Sequence, residues 1–169
     1  MTKLILDASS LICWSEELAN DILFRELLMM NYSFILPQRV ISEVDYDRLE
    51  KTEIAELIEE ESDVREVPER MHQKFSERYI GLGEGEISVI SIAQTFEEAE
   101  DCCCILDDKA ARNTCERLGI PMKGQIGLVA KLINQEKIEK ETGEEILENM
   151  VNGGTLLPEN YKELLNNNT

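Results

Sequence analysis

Short apolar runs alternate with stretches of helical periodicity along this chain. Runs of strand length occupy residues 4–6, 33–36 and 102–106, with weaker candidates at 63–67 and 120–123. Uninterrupted apolar runs of this length are too short for helices and are typical of strands buried on both faces. Between them, apolar residues recur every three or four positions, which predicts helices over 18–30, 40–44, 52–60, 69–79, 86–98, 109–118, 125–135, 142–151 and 161–165.

This alternation predicts an α/β fold with a parallel sheet that is covered by helices on both faces. No Asn-Gly or Asp-Gly pair joins two strands as a hairpin, and no internal repeat or Ser- or Pro-rich linker divides the chain. Its 169 residues suit one domain, which we expect to span residues 1–165 and to be followed by a disordered tail at 166–169.

Acidic residues recur where the predicted strands end. Asp7 ends the first strand, and Asp107 and Asp108 end the fourth. Glu43 lies in the helix after the second strand, and Glu86 opens the helix that leads to the fourth. Ligand sites of open parallel sheets form beyond the carboxyl ends of the strands, so we expect these carboxylates to share one cleft.

Converging carboxylates repel one another unless a cation neutralises them. No His or Cys accompanies these acids, and an all-oxygen ligand set favours a hard cation such as Mg²⁺ or Mn²⁺. Such a site is typical of phosphate-ester chemistry, in which the metal activates water and neutralises the phosphate.

Ordinary structural roles compete with this interpretation. Asp108 is placed to cap the following helix, and any single acid among 35 can simply lie on the surface. Ser9 either caps a helix or positions Asp7. We expect His72 to be exposed, and we expect Trp14 and the pair at 29–30 to belong to the core.

Composition narrows the function further. The net charge of −18 disfavours nucleic acid and anionic membranes through long-range repulsion. There is no apolar run long enough to span a bilayer and no signal-peptide pattern. The number of cysteines is odd and no Cys-x-x-Cys pair occurs, which indicates neither a disulfide framework nor a zinc site. We expect a cytoplasmic protein in which all five thiols are reduced and buried, namely those of Cys13, Cys102, Cys103, Cys104 and Cys115.

Four acidic motifs in order resemble those of the PIN-domain nucleases, close to the prokaryotic branch that includes the VapC-type toxins. Residues 4–12 (LILDASSLI) resemble the family's opening strand with its Asp and a hydroxyl two positions later. Residues 37–44 (PQRVISEV), 82–93 (LGEGEISVISIA) and 105–112 (ILDDKAAR) are similar to the second, third and fourth motifs. Residues 124–131 (GQIGLVAK) are similar to the segment that usually follows.

The resemblance implies a three-layer α/β/α fold with a five-stranded parallel sheet in the order 3-2-1-4-5, and metal-dependent endonuclease activity on RNA. It implies that Asp7, Glu43, Glu86 and Asp107 hold Mg²⁺ or Mn²⁺. In this assignment Asp7 and Asp107 are the primary ligands, Glu86 shares the metal, and Glu43 orients or deprotonates the attacking water. Ser9 and Asp108 support the ligands. A homodimer and an antitoxin partner are further implications.

The charge is uneven along the chain, which reopens nucleic acid as a ligand. Residues 41–101 hold 19 acids and 6 bases, whereas residues 106–140 hold 5 acids and 7 bases. Lys109 and Arg112 of the second stretch follow Asp107, where an RNA backbone would lie, although solvated helix faces explain them equally well. Two alternatives stay open: a non-catalytic module that binds a basic partner protein, and a phosphatase or DNA nuclease with the same metal site.

Overall fold

Five parallel strands form one sheet in the order β3-β2-β1-β4-β5. The computed structural model describes residues 2–15, 21–44, 53–98 and 101–169. The predicted α/β class, the parallel sheet and its strand order are confirmed. The strands are β1 (Lys3–Leu6), β2 (Ser33–Pro37), β3 (Ser62–Arg65), β4 (Cys102–Ile105) and β5 (Met122–Lys123).

The register of the central strands places their carboxyl ends at one edge of the sheet. Leu6 of β1 lies opposite Ile105 of β4, so Asp7 and Asp107 emerge at nearly the same level. Ile5 lies opposite Ile35, so β2 also ends close by, at Pro37. The strands β1, β2 and β4 are almost wholly buried, which explains their uninterrupted apolar sequences.

Helices pack in two groups around the sheet, as expected for a three-layer fold. In one group α1 contacts α2 and α4, α2 contacts α8, and α8 contacts α9 and α10. In the other group α6 contacts α3 and α5 and lies on β1, β2 and β4. The described helices are α1 (Ala8–Ser15), α2 (Asp21–Met29), α3 (Gln38–Glu43), α4 (Glu53–Glu60), α5 (Glu69–Arg78), α6 (Glu84–Ala93), α7 (Lys109–Leu118), α8 (Gln125–Asn134), α9 (Lys140–Asn152) and α10 (Tyr161–Asn168).

The core contains an aromatic cluster under the first layer of helices. Trp14 contacts the rings of Phe24 and Phe34, and all three side chains are buried. The prediction that Trp14 belongs to the core is confirmed, but Met29 is 68% exposed and that part of the prediction is wrong. All five cysteines are buried, as expected, and none of them is joined to another in a disulfide.

Three local predictions are corrected by the structure. Helix α1 was not predicted as an element, because its eight residues, which begin directly after Asp7, show little amphipathic contrast. His72 is 3% exposed rather than exposed, because it packs between α5 and α6. Helix α6 spans Glu84–Ala93 rather than the predicted 86–98, with Gly83 as its N-cap and Gln94 as its C-cap. The predicted positions Leu18 and Thr52 lie outside the described residues.

The predicted disordered tail is also wrong over residues 166–168, which continue helix α10. Leu165 anchors this helix in the core, and the Asn134 side-chain amide donates to the carbonyl of Asn168 at 2.7 Å. These two tertiary contacts hold residues whose sequence is polar throughout in a helix. Within the ranges described, no helix combines the length and apolarity that crossing a membrane requires.

Candidate active site

Asp7 stands between β1 and α1, and its carboxylate caps the helix. Its Oδ1 accepts a hydrogen bond from the Ser10 amide at 2.8 Å, and its Oδ2 accepts one from the Ser9 hydroxyl at 2.7 Å. Ser9 therefore positions Asp7 and is not itself the cap. Burial raises the pKa of Asp7, and the hydrogen bonds from Ser10 and Ser9 oppose that rise.

Asp107 follows β4, and one of its two carboxylate oxygens accepts a hydrogen bond. Its Oδ1 accepts a hydrogen bond from the Gln125 amide at 3.1 Å. Its Oδ2 is buried and has no hydrogen-bond partner among the described residues. Burial raises the pKa of Asp107; the Gln125 amide opposes this, nearby Asp7 raises the pKa further, and Arg112 lowers it. An unpartnered buried carboxylate oxygen is costly, so this atom calls for a cation or water.

Asp108 has the capping role that competed with ligation in the sequence. Its Oδ1 accepts a hydrogen bond from the Ala111 amide at 2.8 Å, at the N-terminus of α7. Its side chain nevertheless lines the same cavity as Asp7 and Asp107. The residue is exposed, so it can cap the helix and still contribute charge to the cavity.

The two glutamates are held by backbone amides at the start of α6. The Gly85 amide donates to Glu43 Oε1 at 2.7 Å, and the Gly83 amide donates to Glu86 Oε2 at 2.8 Å. Burial raises the pKa of Glu86, the Gly83 amide opposes the rise, and the charges of Asp108, Asp7 and Glu43 add to it. These mutual effects show that acids from four distant segments act on one another.

An ionic cluster surrounds Glu84, the first residue of helix α6. Arg39 of α3 donates to Glu84 at 2.9 Å and also binds Glu69 of α5. The buried His72 lies 3.3 Å from Glu84. This cluster joins α3, α5 and α6 close to the amides that hold Glu43 and Glu86.

All four proposed ligands line one cavity of about 580 Å³, together with Ser9, Asp108 and Lys109. The structure thus gathers the predicted acids, while Arg112 faces a neighbouring cavity that shares Asp107 and Lys109. One wall was not predicted: the connection between α9 and α10. The remaining lining residues are Ala8, Ile12, Gly83, Gly153, Gly154, Thr155 and Leu156.

Gln125 is a second feature that sequence reasoning missed. Its side chain is fully buried, accepts a hydrogen bond from Trp14 Nε1 at 2.7 Å and donates to Ser10 Oγ at 3.0 Å. Its backbone amide holds Asp107, while the Ser10 amide holds Asp7. Gln125 therefore connects the supports of both aspartates. Its sequence signal is weak, because a glutamine at the start of a helix is ordinarily exposed.

A divalent cation suits this donor set. The donors are carboxylate oxygens, three of the acids are disfavoured as anions by burial, and Asp107 Oδ2 lacks a partner. In this conformation, however, no three of the described Cys, His, Asp or Glu side chains form a ready-made metal group. One carboxylate oxygen of Glu43 and one of Glu86 accept backbone amides, which leaves one oxygen of each for a cation.

Comparison with known families agrees with this geometry. The DUF3368 family model, described as a PIN domain, matches residues 3–167, which include every strand and all four acids. No curated protein matches the chain. The parallel sheet in the order 3-2-1-4-5 is consistent with a PIN-like fold. With a match over almost its whole length, the chain belongs to the PIN-domain family.

Proposed function

We propose that this protein is a metal-dependent endoribonuclease in which Asp7, Glu43, Glu86 and Asp107 hold Mg²⁺ or Mn²⁺. PIN domains are generally nucleases that use divalent metal ions, so family membership supports a nuclease-type function. The observation that carries the proposal is the buried, unpartnered Asp107 Oδ2 in a cavity lined by the other three acids.

Each residue has a role that follows from its contacts. Asp7 and Asp107 are the primary ligands, because they are the most buried of the acids and stand at adjacent strand ends. Glu86 shares the metal, while Ser9 and Asp108 support the ligands. A bound divalent cation supplies charge neutralisation and a more acidic water.

Glu43 is the residue proposed to orient the attacking water or take its proton. Its Oε1 is fixed by the Gly85 amide, which leaves Oε2 as the oxygen that can accept a proton. Glu43 is exposed and borders the cavity, so a water can reach it without displacing the core. Glu43 would then act as a general base, which must first lie within hydrogen-bond distance of the water whose proton it takes.

The choice of RNA as substrate rests on the resemblance and on the position of the basic residues. Lys109 lines the carboxylate cavity, and Arg112 lines the adjoining one. In this proposal both would meet phosphates of the bound strand next to the bond to be cleaved. A phosphatase or a DNA nuclease could use the same metal site, so substrate profiling with RNA, DNA and phosphomonoesters decides among them.

The decisive test is cleavage of an RNA panel with Mg²⁺ or Mn²⁺, with and without chelator. We expect cleavage that stops with chelator and is lost in Asp107→Asn. Asp101→Asn is the matched control, because Asp101 is exposed, precedes β4 and does not line the cavity. RNA that stays uncut with both metals, or an Asp107→Asn variant as active as Asp101→Asn, refutes the proposal.

One alternative has a specific observation in its favour. The net charge of −18 favours a non-catalytic module whose acids bind a basic partner protein. Calorimetry with Mn²⁺ separates the two functions. Tight binding that Asp107→Asn abolishes opposes the interaction module, whereas no binding supports it.

Several finer expectations stay predictions. They are membership of the VapC-like branch, a toxin role with an antitoxin partner, a homodimer and a cytoplasmic location. Expression with and without the neighbouring gene tests the toxin role through growth, and light scattering tests the dimer.

A further inference from the structure

Arg39 lies one helical turn before Glu43 on α3, and both side chains reach the start of α6. Residues four positions apart on a helix are neighbours on one face. Arg39 Nη1 donates a hydrogen bond to Glu84 Oε2 at 2.9 Å, and Glu43 Oε1 accepts one from the Gly85 amide at 2.7 Å. Because Glu84 and Gly85 are adjacent, α3 meets the first turn of α6 at two neighbouring points.

The Glu84 side chain that receives Arg39 also contacts α5. The buried His72 places its Nε2 3.3 Å from Glu84 Oε2 and 3.3 Å from the Glu84 carbonyl oxygen. Both atoms are hydrogen-bond acceptors, so these contacts require a proton on Nε2. Arg39 Nη2 donates in addition to Glu69 of α5. The ion pair between Arg39 and Glu84 is therefore supported by a third helix.

Helix α3 depends on such contacts for its orientation. It has six residues, fewer than a helix needs to be stable by itself, and Val40 is the one buried residue within it. Glu43 ends the helix and is exposed. Apolar burial is not directional, so it does not decide how the end of α3 that carries Glu43 faces α6. The two polar contacts with α6 are directional.

The exposure of the ion pair separates a role in geometry from a role in stability. The side chains of Arg39 and Glu84 are 36% and 57% exposed, and ion pairs this exposed contribute little to the free energy of unfolding. A catalytic group that is displaced by about 1 Å, in contrast, can lower a rate by up to about a hundredfold. The effect of the pair should thus be seen in the position of Glu43.

We propose that Arg39 is a positioning residue that acts through Glu84 to keep Glu43 against the Gly85 amide. The proposal rests on the proposed function, in which Glu43 orients or deprotonates the attacking water. If the Arg39–Glu84 pair is removed, one hydrogen bond or ion pair remains between the described residues of α3 and those of α6, the bond from the Gly85 amide to Glu43. That bond alone would then define where the carboxylate lies.

The first measurement is hydrogen exchange of the Gly85 amide, followed by NMR in the metal-free protein. Arg39→Met removes the charge and keeps a long side chain. In this variant the Gly85 amide should exchange about tenfold faster than in wild type, because its bond to Glu43 opens more often. The midpoint of urea denaturation should stay unchanged.

Arg65→Met is the matched control for Arg39→Met. Arg65 pairs with Asp63 at 2.7 Å, and the two side chains are 32% and 56% exposed, much like Arg39 and Glu84. Neither residue lines the carboxylate cavity. Arg65→Met should therefore leave both the exchange of the Gly85 amide and the rate of RNA cleavage as in wild type.

The second measurement is the kinetics of RNA cleavage with Mn²⁺. Arg39→Met should lower kcat about tenfold and change KM by less than about twofold, because Glu43 would act on the attacking water and not on RNA binding. Arg39→Lys keeps a cation beside Glu84 and should recover most of kcat. Glu84→Ala should lower kcat as Arg39→Met does, and the double variant should lose no more than either single variant.

Four results would overturn the positioning role. They are Gly85 exchange in Arg39→Met equal to that in Arg65→Met, an unchanged kcat, no recovery in Arg39→Lys, and additive losses in the double variant with Glu84→Ala. Failure of the nuclease function is seen separately. RNA that wild-type protein leaves uncut refutes the nuclease, while Gly85 exchange still shows whether Arg39 holds Glu43. Cleavage by wild type with unchanged Gly85 exchange in Arg39→Met refutes the positioning role alone.

Discussion

Gly85→Ala should impair catalysis while leaving the fold intact. Gly85 lies in the first turn of α6, is buried, and donates its amide to Glu43 Oε1. A methyl group at this position would overlap Glu43 Oε2 and lie 3.1 Å from Glu43 Cδ. Because the carboxylate ends a flexible and exposed side chain, it can swing away, and the backbone need not move.

The stability change should be small because two terms oppose each other. Alanine in a helix is favoured over glycine by about 0.5–1 kcal/mol. Loss of the amide–carboxylate hydrogen bond costs about 1–2 kcal/mol, less the solvation that the exposed Glu43 regains. The free energy of unfolding should therefore change by no more than about 1 kcal/mol, in either direction.

Catalysis should fall much further, because displacement of a carboxylate by about 1 Å can cost up to a hundredfold in rate. Urea denaturation measures the stability of Gly85→Ala, and RNA cleavage with Mn²⁺ measures its rate, for which we expect a loss of about ten- to a hundredfold. In urea denaturation Gly127→Ala controls for helix propensity, since its added methyl group would meet only Lys123, at 3.8 Å from Cβ and 3.9 Å from Cγ.

A double-mutant cycle isolates the mechanism. In a Glu43→Ala background the obstructing carboxylate is gone, so Gly85→Ala should cause no further loss of rate. If Gly85→Ala cleaves RNA as fast as wild type, or if it slows Glu43→Ala as much as it slows wild type, the reasoning is wrong.

Three further predictions concern the supports of the site. Gln125→Leu leaves the Trp14 indole and the Ser10 hydroxyl without their hydrogen-bond partner, so it should lower the free energy of unfolding by about 2–4 kcal/mol. Urea denaturation followed by circular dichroism measures this change, and wild-type stability would contradict the importance of the buried network. Burial raises the pKa of Asp107 above its usual 3.8, so the folded, metal-free protein binds the carboxyl proton more tightly than the unfolded chain does. The free energy of unfolding, and with it the melting temperature, therefore falls as the pH rises through the pKa of Asp107 in the folded protein. Asp107→Asn should flatten that decline in melting temperature, and an unchanged slope would exclude Asp107 as its source. Burial raises the pKa of Cys102 to about 11, so mass spectrometry should find this thiol alkylated slowly in the folded protein at about pH 8 and rapidly in urea; equal rates would show that the strand opens readily.

The architecture could be predicted because buried parallel strands have a direct sequence signature. Runs such as residues 4–6 and 102–106 are apolar without alternation, and an acid directly after each run marks the sheet edge. The sequence pattern therefore predicts one cleft for the four acids. Helix α1 was missed because its residues are buried on nearly all sides and show little periodicity.

The conformation of the site could not be predicted in the same way. That Glu43 and Glu86 rest on the amides of Gly85 and Gly83 depends on how α3 and α6 meet, which is a tertiary contact. Gln125 and the wall at residues 153–156 lie far from the acids in sequence and carry no motif. The position of an acid relative to a predicted strand indicates that its side chain reaches the cleft. Tertiary packing determines which of its carboxylate oxygens accept hydrogen bonds from the protein and which can still bind a ligand.

Trp14 is the chain's single tryptophan, and its indole donates to the residue whose amide holds Asp107. Its ring is sealed in the aromatic core, so its emission reports on Gln125 and not on solvent. The protein therefore carries a built-in optical probe two hydrogen bonds away from the proposed metal ligands. Titration of the unlabelled protein with Mn²⁺ can be followed by its tryptophan fluorescence. In the Gln125→Leu variant the fluorescence should no longer respond to the metal.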